Sequence, residues 1–337
     1  GTLPSEPPRL ESSELLNQST SDSLCAAYVR LNFTANKSLV SFDIELAWQC
    51  SAATRPGSFA LPIFLTQFNH RGWGLAAAQR GFVMVLYPGG DTRDASGDLR
   101  AAYPQASMRK ILARAYVGSR VIDFLTNASA YASTGGPLPP INSSRISISG
   151  HSRNGKQSLV AAAFDERIAS VVGSSPGTPI SSPIRFSSPD FNGEPVLYDT
   201  PARDWFLETL YAYYGSENAV PADGHMILAL IAPRHALIAT ADSDASGDVT
   251  FAVERGVLAA SSAYALLNSS DALRISYRPG RHHGFLDVQT YFDWFEHAAG
   301  LSAHHVASQF GSFAEVALHA FDWDAWSASP PPPPRLR

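Results

Sequence analysis

Gly150-His151-Ser152-Arg153-Asn154-Gly155-Lys156 puts a serine between glycines, at the point where Ile146 and Ile148, alternating with small polar residues, give way to the Ala-rich run Leu159 to Phe164. Alternation followed by a helix former reads as strand, sharp turn, helix. Such a corner is too tight for bulky neighbours and holds a hydroxyl out into a cleft. The match to Gly-x-Ser-x-Gly is shifted, with Asn154 at the second glycine's place and Gly155 one position later. A serine hydroxyl becomes a nucleophile only when a base takes its proton, and the base needs an orienting acid. Both partners occur downstream in the chain order Ser, acid, His. Asp242 and Asp244 follow the apolar run Ala236 to Thr240, and His282 and His283 follow Leu273 to Tyr277. Spacing behind the strand favours Asp244, with Asp242 as the alternative acid; His282 is preferred narrowly over His283. The chemistry these residues could carry is acyl transfer. Its oxyanion needs aimed donors: the N–H of Arg153, whose guanidinium adds positive charge, and a second donor from the loop Gln67 to Arg71, where Asn69 sits. Lys156 stands one helical turn past the serine on the same face, placed to reach a substrate hydroxyl or carboxylate. His151, directly before the nucleophile, is assigned to the same substrate site.

The elements needed to position these groups are legible. Leu24 to Phe33 and Leu39 to Trp48 read as opening antiparallel strands. Leu61 to Phe68, Phe82 to Tyr87 and Ile168 to Gly173 read as buried strands. Helical spacing is seen at Trp73 to Gln79, Met108 to Leu125, Ala222 to Leu230, Phe251 to Leu267 and from about Asp287. Strands alternating with helices predict an α/β fold with a mostly parallel central sheet and helices on both faces. Residues 1–23 are polar and Pro/Ser-rich and read as an extended arm. One domain spans 24–328, with a Ser/Pro/Gly-rich excursion over the active-site face at about 174–222. Residues 329–337 hold Pro330 to Pro334 and read as a stiff linker toward a further module.

The net charge of −5 carries no Lys/Arg run suited to nucleic acid or acidic lipid. No apolar stretch approaches membrane-spanning length. No apolar leader opens the sequence, which reads as a mature or trimmed chain. Six of the ten asparagines (Asn17, Asn32, Asn36, Asn127, Asn142 and Asn268) lie in N-glycosylation sequons, where chance would give about one or two. That density points to a secreted, extracellular glycoprotein working at the cell wall. Cys25 and Cys50 are the only cysteines, enough for one disulfide near the N-terminus.

The heptad around Ser152 resembles the Gly-x-Ser-Arg-x-Gly-Lys signature of the glucuronoyl esterases, carbohydrate esterase family 15, within the α/β-hydrolases. The likeness extends to Ala162 to Ile168, to Asp223-Gly224-His225-Met226, to Leu228 through Arg234, and to Arg278-Pro279-Gly280-Arg281-His282. It implies an α/β-hydrolase fold, Ser152 as nucleophile, Arg153 as oxyanion stabiliser and Lys156 as a ligand for sugar hydroxyls; its Arg-x-Gly-x-His pattern tilts the choice to His282. Three positions depart from the family. Ser174-Ser175-Pro176-Gly177 stands where many members carry an acid, Ser246 where many carry a tryptophan, and His151 where cysteine is frequent.

These readings converge on a serine carboxylester hydrolase with a Ser152-His282-Asp244 triad and an acyl-enzyme. Its expected substrate is a glucuronoyl ester of cell-wall polysaccharide or a small model of one. The triad needs no metal or organic cofactor. Two other readings are a polysaccharide acetyl esterase or related carboxylesterase, and a non-catalytic wall-binding glycoprotein on the same fold.

Overall fold

The computed structural model describes residues 3–21, 23–51, 60–136, 138–186, 194, 204–241, 244, 249–283 and 288–301. The polyproline segment and Asp242 lie outside the described residues. Nine strands make up the sheet of an α/β fold, and the chain divides into two compact units. One comprises residues 1–150 and 165–170, the other 151–164 and 171–337.

In the first unit the strands run in the order β1 (Arg9–Ser21), β2 (Leu24–Ala35), β3 (Ser38–Gln49), β5 (Val83–Tyr87), β4 (Leu61–Gln67), β6 (Ile141–His151). The opening three form an antiparallel meander. β4 then pairs parallel with both β5 and β6. The tight β2–β3 turn falls on Asn36 and Lys37, both at positive φ, as a two-residue hairpin requires. At the other end of this hairpin Cys25 and Cys50 form a disulfide. β4 and β5 read as continuous apolar runs because Ile63, Phe64, Leu65 and Val83 to Leu86 are all fully buried, as expected of strands covered on both faces. Helix α1 (Arg71–Gln79) approaches β5 closely: a Cβ on Gly74 would lie 2.5 Å from Met84 Cγ.

Residues 9–21, expected as an arm, form strand β1. Most of its side chains are exposed, with only Leu10, Ser13 and Leu15 half-buried, so it leaves no apolar alternation to read. Two short helices were also absent from the sequence reading, α2 (Ser96–Ala102) and α4 (Ala128–Ala132). α4 starts from a side-chain cap, Asn127 Oδ1 accepting from the Ala130 N–H, while ahead of α2 Asp94 Oδ1 accepts from the Ser96 N–H. Between them runs α3 (Lys110–Thr126). Asn17, Asn36, Asn127 and Asn268 are exposed, whereas Asn32 and Asn142 are half-buried.

In the second unit α5 (Arg153–Phe164) follows the turn at Ser152. Strand β7 (Ile168–Ser174) leads to β8 (His235–Ala241), which pairs parallel with β9 (Leu273–Arg278). Gly173 lets α5 close on β7, since a Cβ there would lie 2.8 Å from Leu159 Cδ1. The segment after β7 carries the short helices α6 (Glu208–Tyr211) and α7 (Gly224–Ala229). Helix α8 (Thr250–Leu266) then joins β8 to β9, and α9 (Val288–Ala298) buries Tyr291, Phe292, Trp294 and Phe295.

The Phe164-Asp165-Glu166-Arg167-Ile168 run has a structural reason in the first unit. Arg167 gathers two acids, donating to Asp165 from Nε (2.8 Å) and Nη2 (2.7 Å) and to Asp123 from Nη1 (2.8 Å). Burial alone would raise the Asp165 pKa, but the hydrogen bonds and charge of Arg167 outweigh it and hold the carboxyl below its usual range. A depressed carboxyl contributes stability that is present above the ordinary carboxylate pKa and lost as pH falls through the folded value. Arg167→Met should therefore destabilise the protein at neutral pH by about 2–4 kcal/mol, because it takes the guanidinium away from a buried acid. It should also flatten the loss of stability below about pH 4. Urea unfolding at several pH values measures both.

Candidate active site

Ser152 occupies the corner between β6 and α5 with φ +59°. Left-handed backbone costs a non-glycine residue about 1–2 kcal/mol, so the surroundings must hold it. The Ser152 N–H donates to the Ser174 carbonyl at 2.8 Å, and the Ser152 carbonyl accepts the first helical bond from the Lys156 N–H at 3.0 Å. One end of the residue is thus tied to β7 and the other to α5. The hydroxyl stays half-buried at the end of the strand. This is the geometry of a nucleophile elbow.

His282, in the loop after β9, meets that hydroxyl, with Nε2 at 2.9 Å from Ser152 Oγ. Its Nδ1 lies 2.6 Å from Asp244 Oδ2. Asp244 is buried, its side chain without solvent exposure. A carboxylate behind one ring nitrogen fixes the tautomer that leaves the other able to accept the serine proton. The loop itself is tied down by Arg278, at 3% exposure. Its guanidinium donates to the carbonyls of Arg281 (2.9 Å) and His282 (2.8 Å) and to Ser175 Oγ (2.6 Å). Ser175, at one of the departures from the family pattern, thus accepts from an arginine; the carboxylate at the imidazole is that of Asp244.

The alternative base His283 points elsewhere: its Nδ1 is 3.3 Å from His151 Nε2, and it is solvent-exposed. Burial and the neighbouring His282 lower its pKa. His151, expected against substrate, is buried. Its Nδ1 lies 3.1 Å from Ser174 Oγ, which also accepts from Tyr291 Oη at 2.8 Å. Asn69 belongs to the first unit, in the turn after β4, with Oδ1 accepting from Thr92 Oγ1 at 3.3 Å.

Lys156 turns out to be buried, at 1% exposure. It donates to the Pro176 carbonyl and, at 2.5 Å, to Glu194 Oε2. Burial raises the Glu194 pKa, while the Lys156 ammonium opposes that shift. Trp205 adds an aromatic face beside both cations, 5.2 Å from the Arg153 guanidinium and 5.7 Å from Lys156 Nζ. Sequence reasoning missed Glu194 and Trp205. They lie in a Ser/Pro/Gly-rich stretch without periodicity, where Trp205-Phe206-Leu207 is a short apolar run with no spacing to assign it. Among the described residues, then, Ser152, His282 and Asp244 are brought together, flanked by a buried lysine–glutamate pair and an indole.

Comparison with known proteins places this arrangement. A family model described as "Glucuronyl esterase, fungi" matches residues 87–268, more than half of the chain. The 4-O-methyl-glucuronoyl methylesterase 1 of Phanerochaete chrysosporium is 26% identical over 251 residues, covering 72% of this chain and 46% of that protein. A carbohydrate esterase, MZ0003, from an unknown prokaryotic organism is 37% identical over 111 residues, covering 32% of this chain and 24% of that protein. The chain spans about half the length, or less, of these curated relatives. Among solved structures, a family 15 glucuronoyl esterase from Caldicellulosiruptor kristjansonii superposes with a TM-score of 0.69 at 21% identity, over 95% of this chain and 86% of that one. The glucuronoyl esterase catalytic domain from Hypocrea jecorina gives 0.65 at 23% identity, over 91% and 81%. These likenesses show the α/β-hydrolase fold, and the family match across more than half the residues assigns the lineage: the chain belongs to the glucuronoyl esterases.

Proposed function

We propose that this protein is a secreted serine esterase that cleaves esters of 4-O-methylglucuronate in plant cell-wall polysaccharide. The observation that carries the reading is the linear relay Ser152 Oγ–His282 Nε2 (2.9 Å) and His282 Nδ1–Asp244 Oδ2 (2.6 Å), set on a left-handed serine. His282 takes the hydroxyl proton as Ser152 attacks the ester carbonyl, and Asp244 stabilises the imidazolium. The oxyanion is met by the Arg153 N–H, the first amide after the nucleophile. His282 then returns its proton to the departing alcohol. Water, activated by the same imidazole, opens the acyl-enzyme to release the uronic acid.

The neighbouring groups support a sugar acid as acyl part. Lys156 donates to Pro176 and Glu194, and its ammonium has a third N–H to offer a ring hydroxyl. Glu194 offers acceptor oxygens for a second hydroxyl, and Trp205 offers a flat apolar surface to a pyranose face. Relatives named as 4-O-methyl-glucuronoyl methylesterases favour the same acyl group.

Methyl 4-O-methylglucuronate should be hydrolysed at least about tenfold faster, in kcat/KM, than an acetylated xylo-oligosaccharide. Ser152→Ala should remove at least about 10³-fold of that activity. A fluorophosphonate should label Ser152, identified by peptide mass spectrometry. Preference for the acetyl ester would transfer the protein to the acetyl esterases, and failure of folded protein to label would leave the non-catalytic reading. Arg278→Lys keeps the charge but loses the planar fork that holds the His282 loop. It should lower kcat about 10–100-fold with KM within about twofold, since Arg278 positions the base and touches no substrate. In a eukaryotic secretory host, glycans removable by an N-glycosidase should be found on the exposed Asn17, Asn36, Asn127 and Asn268. Peptide mapping would read this, and four unmodified sites would overturn the secreted assignment.

A further inference from the structure

We infer that His151, His282 and His283 form a binding site for a borderline-soft divalent cation such as Zn2+, and that the ion, once bound, withdraws His282 from the triad and inhibits the enzyme. One ring nitrogen from each of these histidines lies within 4.8 Å of the other two. The His151 Nε2 to His283 Nδ1 separation is 3.3 Å. A tetrahedral ion with Zn–N bonds of about 2.0–2.1 Å holds its ligand nitrogens roughly 3.3–3.4 Å apart. The observed separation of these two nitrogens is therefore already that of a shared tetrahedral ion.

The supporting contacts match what metal-bound imidazoles require. A ligating histidine is oriented by a hydrogen bond at its other nitrogen. His151 has one at Nδ1, to Ser174 Oγ, itself fixed by Tyr291 Oη. His282 has a carboxylate, Asp244, behind its ring. His283 is exposed and supplies the entry path. Imidazole donors select zinc- and copper-like ions over Mg2+ or Ca2+, which prefer oxygen.

Inhibition follows from the geometry around His282, and this part rests on the esterase reading. Both ring nitrogens of His282 are engaged, one with Ser152 and one with Asp244. Whichever nitrogen turns to the ion breaks one of those links, so coordination and proton transfer exclude each other. The departure from cysteine to His151 is what completes the cluster, and no step of the proposed hydrolysis requires that imidazole.

The test is titration of chelator-treated protein with ZnCl2 by calorimetry and with CoCl2 by visible absorption, alongside hydrolysis of methyl 4-O-methylglucuronate. Expected are one ion per chain, the absorption of a tetrahedral cobalt centre, loss of hydrolysis in step with occupancy, and recovery on adding EDTA. His283→Asn, at an exposed position, should raise the half-saturating Zn2+ concentration at least about tenfold. His283→Cys, which supplies another zinc ligand, should keep it within about threefold. Absence of stoichiometric binding, or equal affinity in wild type and His283→Asn, overturns the site. Full activity at full occupancy overturns the inhibition. Should the protein hydrolyse no ester, the functional reading fails, while calorimetry and cobalt absorption still decide the site.

Discussion

A single backbone hydrogen bond, from the Ser152 N–H to the Ser174 carbonyl, is the constraint around which the site is organised. It holds a serine in a conformation that L-residues resist, and it does so by fastening the turn to the end of the neighbouring strand. Because Ser174 also receives Tyr291 and faces His151, the same strand end aligns the residue before the nucleophile. Local strain of this kind persists only where several contacts over-determine it.

The histidine loop is secured from the same place. Arg278 leaves β9 and joins the His282 and Arg281 carbonyls to Ser175, next to Ser174. A serine at 175 is compatible with a buried guanidinium as neighbour and gives the histidine no carboxylate. The carboxylate within reach of the imidazole comes instead from Asp244, beyond β8. The acid's position and the identity of residue 175 are thus two aspects of one packing solution at the ends of β7, β8 and β9.

How much of this could be read from residues alone depends on whether a signal is local. Gly150-x-Ser152 between a strand and an Ala-rich helix is local, as are the buried strands that read as unbroken apolar runs, and the elbow and most elements of the sheet were legible for that reason. Strand β1 was not, because an edge strand with exposed side chains has no alternation. The short helices α2 and α4 were not, because 7 and 5 residues are too few for a helical period to show. The choice between His282 and His283 lies in adjacent rings 4.6 Å apart, of which His282 meets Ser152 and His283 meets His151; strand spacing left that choice narrow, and only the family's Arg-x-Gly-x-His pattern tilted it to His282. Glu194 and Trp205 lie in irregular backbone, where position follows from tertiary contacts alone. Ser246 and Asp242, which bear on the family departures and on the choice of acid, lie outside the described residues.

The Lys156–Glu194 pair has a consequence for what happens after bond cleavage. In the proposed reaction an ester enters uncharged and a uronate anion must leave. An unpartnered ammonium in so enclosed a position would grip that anion strongly, slowing turnover through product retention. With Glu194 beside it, the lysine offers hydrogen bonds without a large net positive field, so the newly formed acid meets less electrostatic resistance to departure. In that proposed reaction the pairing separates recognition of sugar hydroxyls from attraction to the carboxylate created next to them.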